Sequence, residues 1–351
     1  MRLDGVVFLA DVSAEAFDVS KSGPMGTSAP TQIKGIRNIN IFRGEIKMKE
    51  VGYYNGKIGP LEEMTVPMED RALYFGDGIY EATCVANRVP FALDDHLDRM
   101  YNSLRLLEIP FHMERDQVKA ELQKVIDAAE ESPVQFLYWQ ISRGACMRNH
   151  PFPDPEKVKP SLMIYVKPHT MKSMDKPYKL ISMEDIRFKM CNIKTLNLIP
   201  SVMANQRAVE RGCDEAVLHR GSRVTECAHS NISMLKDGVL HTAPTDELIL
   251  PGITRKSCIE LLKNWGYRVS ERRLSVDELL QAGKEGRLKE AFGSGTAAVI
   301  SPIGELKIDE HVLQLSDGKI GPISQKLYDQ LTGIQWGRVP GPEGWSVKVC
   351  D

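Results

Sequence analysis

FKMCNIKTLNLIPSVMANQRAVERG, residues 188–212, places one cation where an apolar run would ordinarily exclude it. Lys194 lies between Ile193 and Leu196, and the run continues through Leu198 and Ile199. Arg187 and Lys189 stand outside the run, and Arg207 comes well after it. A lysine in this setting has two fates. Its stem can lie along apolar surface while the ammonium reaches water past an edge strand. Alternatively the amine is held dry, which disfavours the charged form and leaves a nucleophile for an aldehyde. The segment alone leaves both open.

Around this stretch the chain reads as strands mixed with segregated helices, an α+β pattern in both halves rather than a regular βαβ alternation. The segment after Lys194 predicts a helix opening at Pro200 and closing at Gly212. Residues 93–109 carry Leu97, Met100, Tyr101, Leu104 and Leu107 at helical spacing, and residues 114–131 repeat the pattern. Residues 134–142, 161–167 and YKLISME (178–184) are strand-like, and Asn55-Gly56 and Asp237-Gly238 mark hairpin turns. A further helix is expected after Gly252, closing at Gly266. The expected organisation is an extension of unassigned role over 1–50, a small domain over 51–167, a linker over 168–176 and a large domain over 177–351. Within the extension, residues 20–31 are small, polar and rich in Pro and Gly, so they read as a loop.

Bulk properties narrow the function. A net charge of -2 argues against a nucleic-acid partner, which demands a basic face. No apolar run approaches a membrane span, and GVVFLA near the start is too short for a signal-peptide core. The seven cysteines are scattered and form no CxxC pair, so they read as reduced thiols of a cytoplasmic protein. The histidines form no HExxH, and no metal centre is expected.

Four further segments carry chemistry. In VTECAHSN (224–231), Glu226 follows a strand; it is either a surface carboxylate or the partner of a pyridine nitrogen, whose ring then absorbs electrons from a carbanion. In LPGITRK (250–256), a glycine ahead of a helix with Thr254 in its first turn offers amides and a hydroxyl to a phosphate, or simply caps a helix. GSGTAA (293–298) matches a dinucleotide fingerprint, but the strand-like VISPIGELKI follows where that fold needs a helix, so the match is rejected. In RGACMRNHPFPDP (143–155), Arg148 and His150 can both address one carboxylate, or form a solvated basic loop.

FGDGIYEA (75–82), DDHLDRM, RGACMRNH, NIKTLNL, TECAHSN and LILPGITR, in this order, resemble the class IV, fold-type IV aminotransferases over roughly residues 50–351. That family includes D-amino-acid and branched-chain aminotransferases and aminodeoxychorismate lyase. The resemblance implies pyridoxal 5′-phosphate between a small N-terminal and a larger C-terminal α/β domain, and a homodimer. It implies that Lys194 carries the cofactor as an imine and moves the proton at the substrate Cα. Glu226 would hold the pyridine nitrogen, and Arg99, Leu250, Ile253, Thr254 and Thr296 would bind the cofactor, chiefly its phosphate. Tyr80, Arg148 and His150 match the group that traps the substrate carboxylate in D-amino-acid aminotransferases. Ala297, with Thr296, belongs to the carboxylate site of the branched-chain enzymes, which the chain resembles more closely from GYRVSERRLS (266–275) onward. Cys227 stands where the family usually has glycine, and Ser233 where an aromatic is usual. The expected activity is transfer of the amino group of a small amino acid, D-alanine foremost, to 2-oxoglutarate or pyruvate. The competing expectations are a branched-chain L-aminotransferase and a lyase on the same machinery.

Overall fold

In the computed structural model, which describes residues 47–170 and 173–346, Asn55 and Gly56 reverse the chain between β1 (Val51–Tyr54) and β2 (Lys57–Pro60). Their φ values, 45° and 94°, are those a two-residue hairpin turn requires and that Asn and Gly tolerate. The described residues fall within one unit, Glu45–Asp351. The loop expected at 20–31 and the apolar GVVFLA lie outside them.

After β2 come α1 (Arg71–Phe75), β3 (Gly78–Ala86), β4 (Val89–Pro90), α2 (Leu93–Leu106), α3 (Arg115–Ala128), β5 (Gln135–Ser142) and β6 (Ser161–Pro168). The six strands form an antiparallel sheet in the order β2-β1-β6-β5-β3-β4. Leu97, Met100 and Leu104 of α2 and Val118, Leu122 and Val125 of α3 pack with Leu137, Trp139 and Ile141 of β5 in one core. Burial of each such side chain contributes about 1.5–3 kcal/mol. α2 ends earlier than its apolar spacing suggests. Glu108 turns to φ 52°, and the Ile109 amide folds back on the Leu104 carbonyl at 3.0 Å. α3 starts at a reciprocal cap, with the Glu114 amide donating 2.8 Å to Gln117 Oε1.

The second half contains β7 (Tyr178–Glu184), α4 (Ile199–Glu210), β8 (Glu215–Arg220), β9 (Arg223–Cys227), β10 (Asn231–Lys236) and β11 (Val239–Thr242). It continues with α5 (Ile253–Asn264), β12 (Arg268–Glu271), α6 (Val276–Lys284), β13 (Leu288–Gly295), β14 (Val299–Ile308), β15 (His311–Gln314) and α7 (Pro322–Gln335). Eight strands run β12-β11-β10-β13-β14-β7-β8-β9, and β15 pairs with β14. Pairing is parallel at β7–β8, β7–β14 and β11–β12 and antiparallel elsewhere. The fold is α+β, as the sequence predicts, two sheets of which one curls into a half-barrel. The GSGTAA stretch is the β13–β14 turn with no helix after it, in keeping with rejection of the dinucleotide fingerprint. Among the described residues no helix is long and apolar enough to cross a membrane.

The structure revises the surroundings of Lys194. The apolar run is not a strand and only its start is core: Ile193 is buried, but Leu198 is 39% and Ile199 69% exposed, and Lys194 itself is half-buried rather than enclosed. The segment is instead laid along β3. The Tyr80 amide donates to the Lys194 carbonyl at 2.9 Å and the Leu196 amide to the Gly78 carbonyl at 3.0 Å. This approach explains Gly78, because a Cβ there would lie 2.6 Å from the Ile141 carbonyl oxygen and 2.8 Å from Leu196 Cδ1.

Candidate active site

Pinned in this way, Lys194 faces a cavity of about 720 Å³. Its other walls come from Tyr80 on β3, Arg99 on α2, the β9–β10 turn, Leu250 to Thr254, and the β13–β14 turn. Of the residues singled out in the sequence, Lys194, Arg99, Glu226, Leu250, Ile253, Thr254, Thr296, Tyr80 and Ala297 all line it. Arg148 and His150 do not. Both are exposed, Arg148 lies 5.0 Å over the Phe75 ring, and the His150 ring is 5.4 Å from Phe75. Their loop is tied down by the buried Arg71, which donates 2.6 Å to the Asn149 carbonyl and pairs with Asp77 at 2.7 Å.

The Lys194 Nζ lies 4.2 Å from the centre of the Tyr80 ring, which stacks in turn on Tyr138. Glu226, 4% exposed on β9, is not the surface carboxylate of the alternative reading. It accepts from Asn231 Nδ2 at 2.7 Å, from the Leu250 amide at 3.2 Å, and from Arg187 Nη1. Burial pushes its carboxyl up, Arg187 pulls it back and the nearby Asp185 adds to the rise, leaving it at about 7. Arg99 is held by the fully buried Glu81 through two bonds of 2.7 and 2.6 Å, with His96 Nδ1 2.8 Å from the same carboxylate. A third bond, Arg99 Nη1 to the Pro251 carbonyl at 3.0 Å, ties it to the start of α5. Burial alone would raise the Glu81 carboxyl, but Arg99 and His96 outweigh it and hold it near 2.

Arg187, Asp185, Glu81 and His96 escaped the sequence reading. Arg187 donates to Asp185 at 2.9 Å and to the Leu248 carbonyl at 3.1 Å as well as to Glu226. The signal available was Asp185-x-Arg187 just past the end of a strand and seven residues before Lys194. Cys227 and Ser233, the two departures from the family pattern, are both buried, and Cys227 also lines the cavity.

The cavity has the features a phosphorylated pyridine aldehyde requires. Ser294 Oγ and Asn205 Oδ1 are buried at its wall without a hydrogen-bond partner in the described protein. The first-turn amides of α5 lack helical acceptors. Gly252 admits no side chain, since a Cβ would meet Asn231 Oδ1 at 1.9 Å. Amine, buried carboxylate and anion cradle thus surround one volume.

That combination defines a class of enzyme. The amino-transferase class IV family matches residues 78–306, and the chain belongs to it. A D-alanine aminotransferase of Listeria monocytogenes is 35% identical over 277 residues, 78% of this chain and 92% of the relative. A branched-chain aminotransferase from Thermoproteus uzoniensis, 24% identical, superposes with a TM-score of 0.74 over 86% of this chain and 99% of that one. The T.th. branched-chain amino acid aminotransferase, complexed with N-(5′-phosphopyridoxyl)-L-glutamate, is 26% identical with a TM-score of 0.72, covering 86% and 98%. The protein is an aminotransferase that uses pyridoxal 5′-phosphate and acts on amino and oxo acids.

Proposed function

We propose that this aminotransferase moves the amino group of a small D-amino acid, D-alanine foremost, to pyruvate or 2-oxoglutarate. The observation that carries the reading is the identity to D-alanine aminotransferases over most of both chains, joined to Tyr80 in the cavity and to the Arg148–His150 pair. Bound in the cavity, the cofactor supplies an electron sink for bond breaking at the substrate Cα. Lys194 would hold it through Nζ and, with its amine free, carry the proton at the substrate Cα. Glu226 would pair with the ring nitrogen and keep a proton there. The α5 amides of Ile253 and Thr254, with Thr296, Arg99 and the Leu250 backbone, would hold its phosphate.

Arg148 and His150 serve this reaction from a second copy of the chain. They are absent from the wall of their own cavity, and Met147 and Phe152 in the same loop are 82% and 58% exposed. A cluster of this kind suits an isologous interface. A branched-chain L-specific reading draws on one observation, the Thr296 and Ala297 backbone at the cavity wall, a neutral alternative for the substrate carboxylate.

The deciding experiment is oxo-acid production from D-alanine, D-glutamate, L-valine and L-leucine by the pure holoenzyme. Faster turnover of the D-substrates, with a KM that rises in Arg148→Ala, is expected. Fast L-valine turnover that survives this change assigns the carboxylate site to Thr296 and Ala297 instead.

A further inference from the structure

One buried carboxylate next to the cavity is not used by the chemistry above. Glu215, at the start of β8, is 1% exposed. It lies under the turn that joins β9 to β10 and holds it through three groups: the His229 amide at 2.9 Å, Ser230 Oγ at 3.0 Å, and the His229 ring, with Nδ1 3.2 Å away. Among the described residues His229 is the basic side chain within ion-pair reach of Glu215. A buried carboxylate is costly unless paired, and the His229 ring is the partner the turn places beside it. The His229 side chain is 55% exposed and lines the cavity. With Nδ1 turned to Glu215, Nε2 lies on the opposite side of the ring. The other cations at the wall already have tasks: Arg99, held by Glu81, at the phosphate end, Arg187 with Asp185 and Glu226, and Lys194 with the cofactor.

We infer that His229, backed by Glu215, forms an anion-binding subsite in the cavity wall that takes a carboxylate or phosphate oxygen at Nε2. The inference rests on the aminotransferase reading above and adds a substrate class to it. An anion at Nε2 faces the Glu215 carboxylate across the ring, an arrangement that favours a charged imidazole. The ring then donates on both sides, one N–H to Glu215 and one to the ligand. The cofactor phosphate already has the α5 amides, Thr296 and Arg99. The surplus donor therefore suits the distal carboxylate of a dicarboxylic substrate, as in 2-oxoglutarate or glutamate. The turn does pack against the other Gly-rich loop, since a Cβ on Gly295 would lie 3.7 Å from the His229 carbonyl oxygen. The phosphate is thus the second possible source of the same oxygen chemistry.

The test compares His229→Ser and Glu215→Gln with wild-type holoenzyme, reading kcat/KM for 2-oxoglutarate against pyruvate and the rate of cofactor loss on dilution. For a dicarboxylate subsite, the 2-oxoglutarate to pyruvate ratio falls about tenfold or more in His229→Ser, through KM, and less in Glu215→Gln. Glutarate inhibits wild type better than propionate, and the variant loses that preference. If the anion is the phosphate, cofactor loss accelerates and both acceptors suffer together. An unchanged ratio with unchanged cofactor retention overturns the inference, as does an equal loss on both acceptors with normal retention. If wild type yields no oxo acid from any amino acid, the aminotransferase reading itself has failed instead.

Discussion

Replacing Arg187 by methionine removes the guanidinium behind Glu226 while preserving much of its volume. In the native protein that guanidinium bonds both the Glu226 and Asp185 carboxylates, at 11% side-chain exposure. Its loss acts twice on Glu226. One charge-assisted hydrogen bond disappears, and Asp185 is left nearby as a like charge with only the more distant Arg220, at 3.6 Å, opposite it. Both raise the Glu226 carboxyl above its native value of about 7. A charged hydrogen bond contributes about 1.5–3 kcal/mol. At 1.36 kcal/mol per pH unit, the acid limb of the kcat/KM profile should move up by about one to two pH units. The direction follows from Glu226 being functional only when ionised: activity falls as pH drops through its pKa, and a higher pKa brings that fall to higher pH. The assay is a pH profile of half-transamination, followed through cofactor absorbance so that product release plays no part. Removing one member of a buried pair also costs about 3–5 kcal/mol of stability, so the profile is read on protein shown to be folded. Arg187→Lys should bring the limb part of the way back, since a point charge restores the field without the fork. Uniformly lower activity with an unmoved limb would refute the reasoning and leave Arg187 a merely structural residue.

The remaining predictions concern the supports of the site. Glu81→Gln should weaken cofactor retention, measured by dialysis, because Arg99 loses its two-bond partner and is free to swing from the cavity wall. The same change should flatten the acid end of the stability curve. The native Glu81 carboxyl falls from 4.5 to about 2, so its contribution is full above 4.5 and is lost as pH drops through 2. Glu290→Ala strips the carboxylate that accepts from the Ile323 and Ser324 amides and from Ser324 Oγ, at 3.2, 2.6 and 2.6 Å, at the start of α7. Urea unfolding should show a loss of about 2–4 kcal/mol with little change in KM. Gly252→Ala forces Asn231 off Glu226, so cofactor retention and thermal stability should fall together; a normal cofactor content would show that the cradle tolerates a side chain.

What can be read from the chain is whatever is written locally. Asn55-Gly56 and Asp237-Gly238 specify their turns within two residues, and the apolar spacing of α2 and α3 repeats within a single turn of helix. Lys194, Glu226 and Thr254 are legible because each sits in a short segment whose neighbours already suggest its task. The residues missed are of another kind. Glu81 meets Arg99 across 18 positions and Arg187 meets Glu226 across 39, and a carboxylate in a strand carries no mark of which arginine will find it. The end of α2 shifts for a related reason: Glu108 takes φ 52° only because a tertiary environment stabilises the turn. Lys194 differs from expectation in its surroundings rather than its place, since the apolar run that suggests a dry interior is largely exposed at Leu198 and Ile199.

Arg148 and His150 mark the boundary between these cases. Their spacing suggests that they act together, and the fold fixes their loop through Arg71, but neither fact says whose cavity they face. Nearly every charge at the cavity has a buried opposite behind it: Glu81 for Arg99, Arg187 for Glu226, Glu215 for His229. Among the described residues Arg148 has only an aromatic ring. A guanidinium held in place by its loop and left without a carboxylate is suited to receive one from outside the chain. The substrate carboxylate is the anion this enzyme must orient on one side of the ring to choose between enantiomers. Stereochemical preference should therefore respond to Arg148, whose anion is brought by the ligand, far more than to the paired cations, whose charge is already spent within the protein.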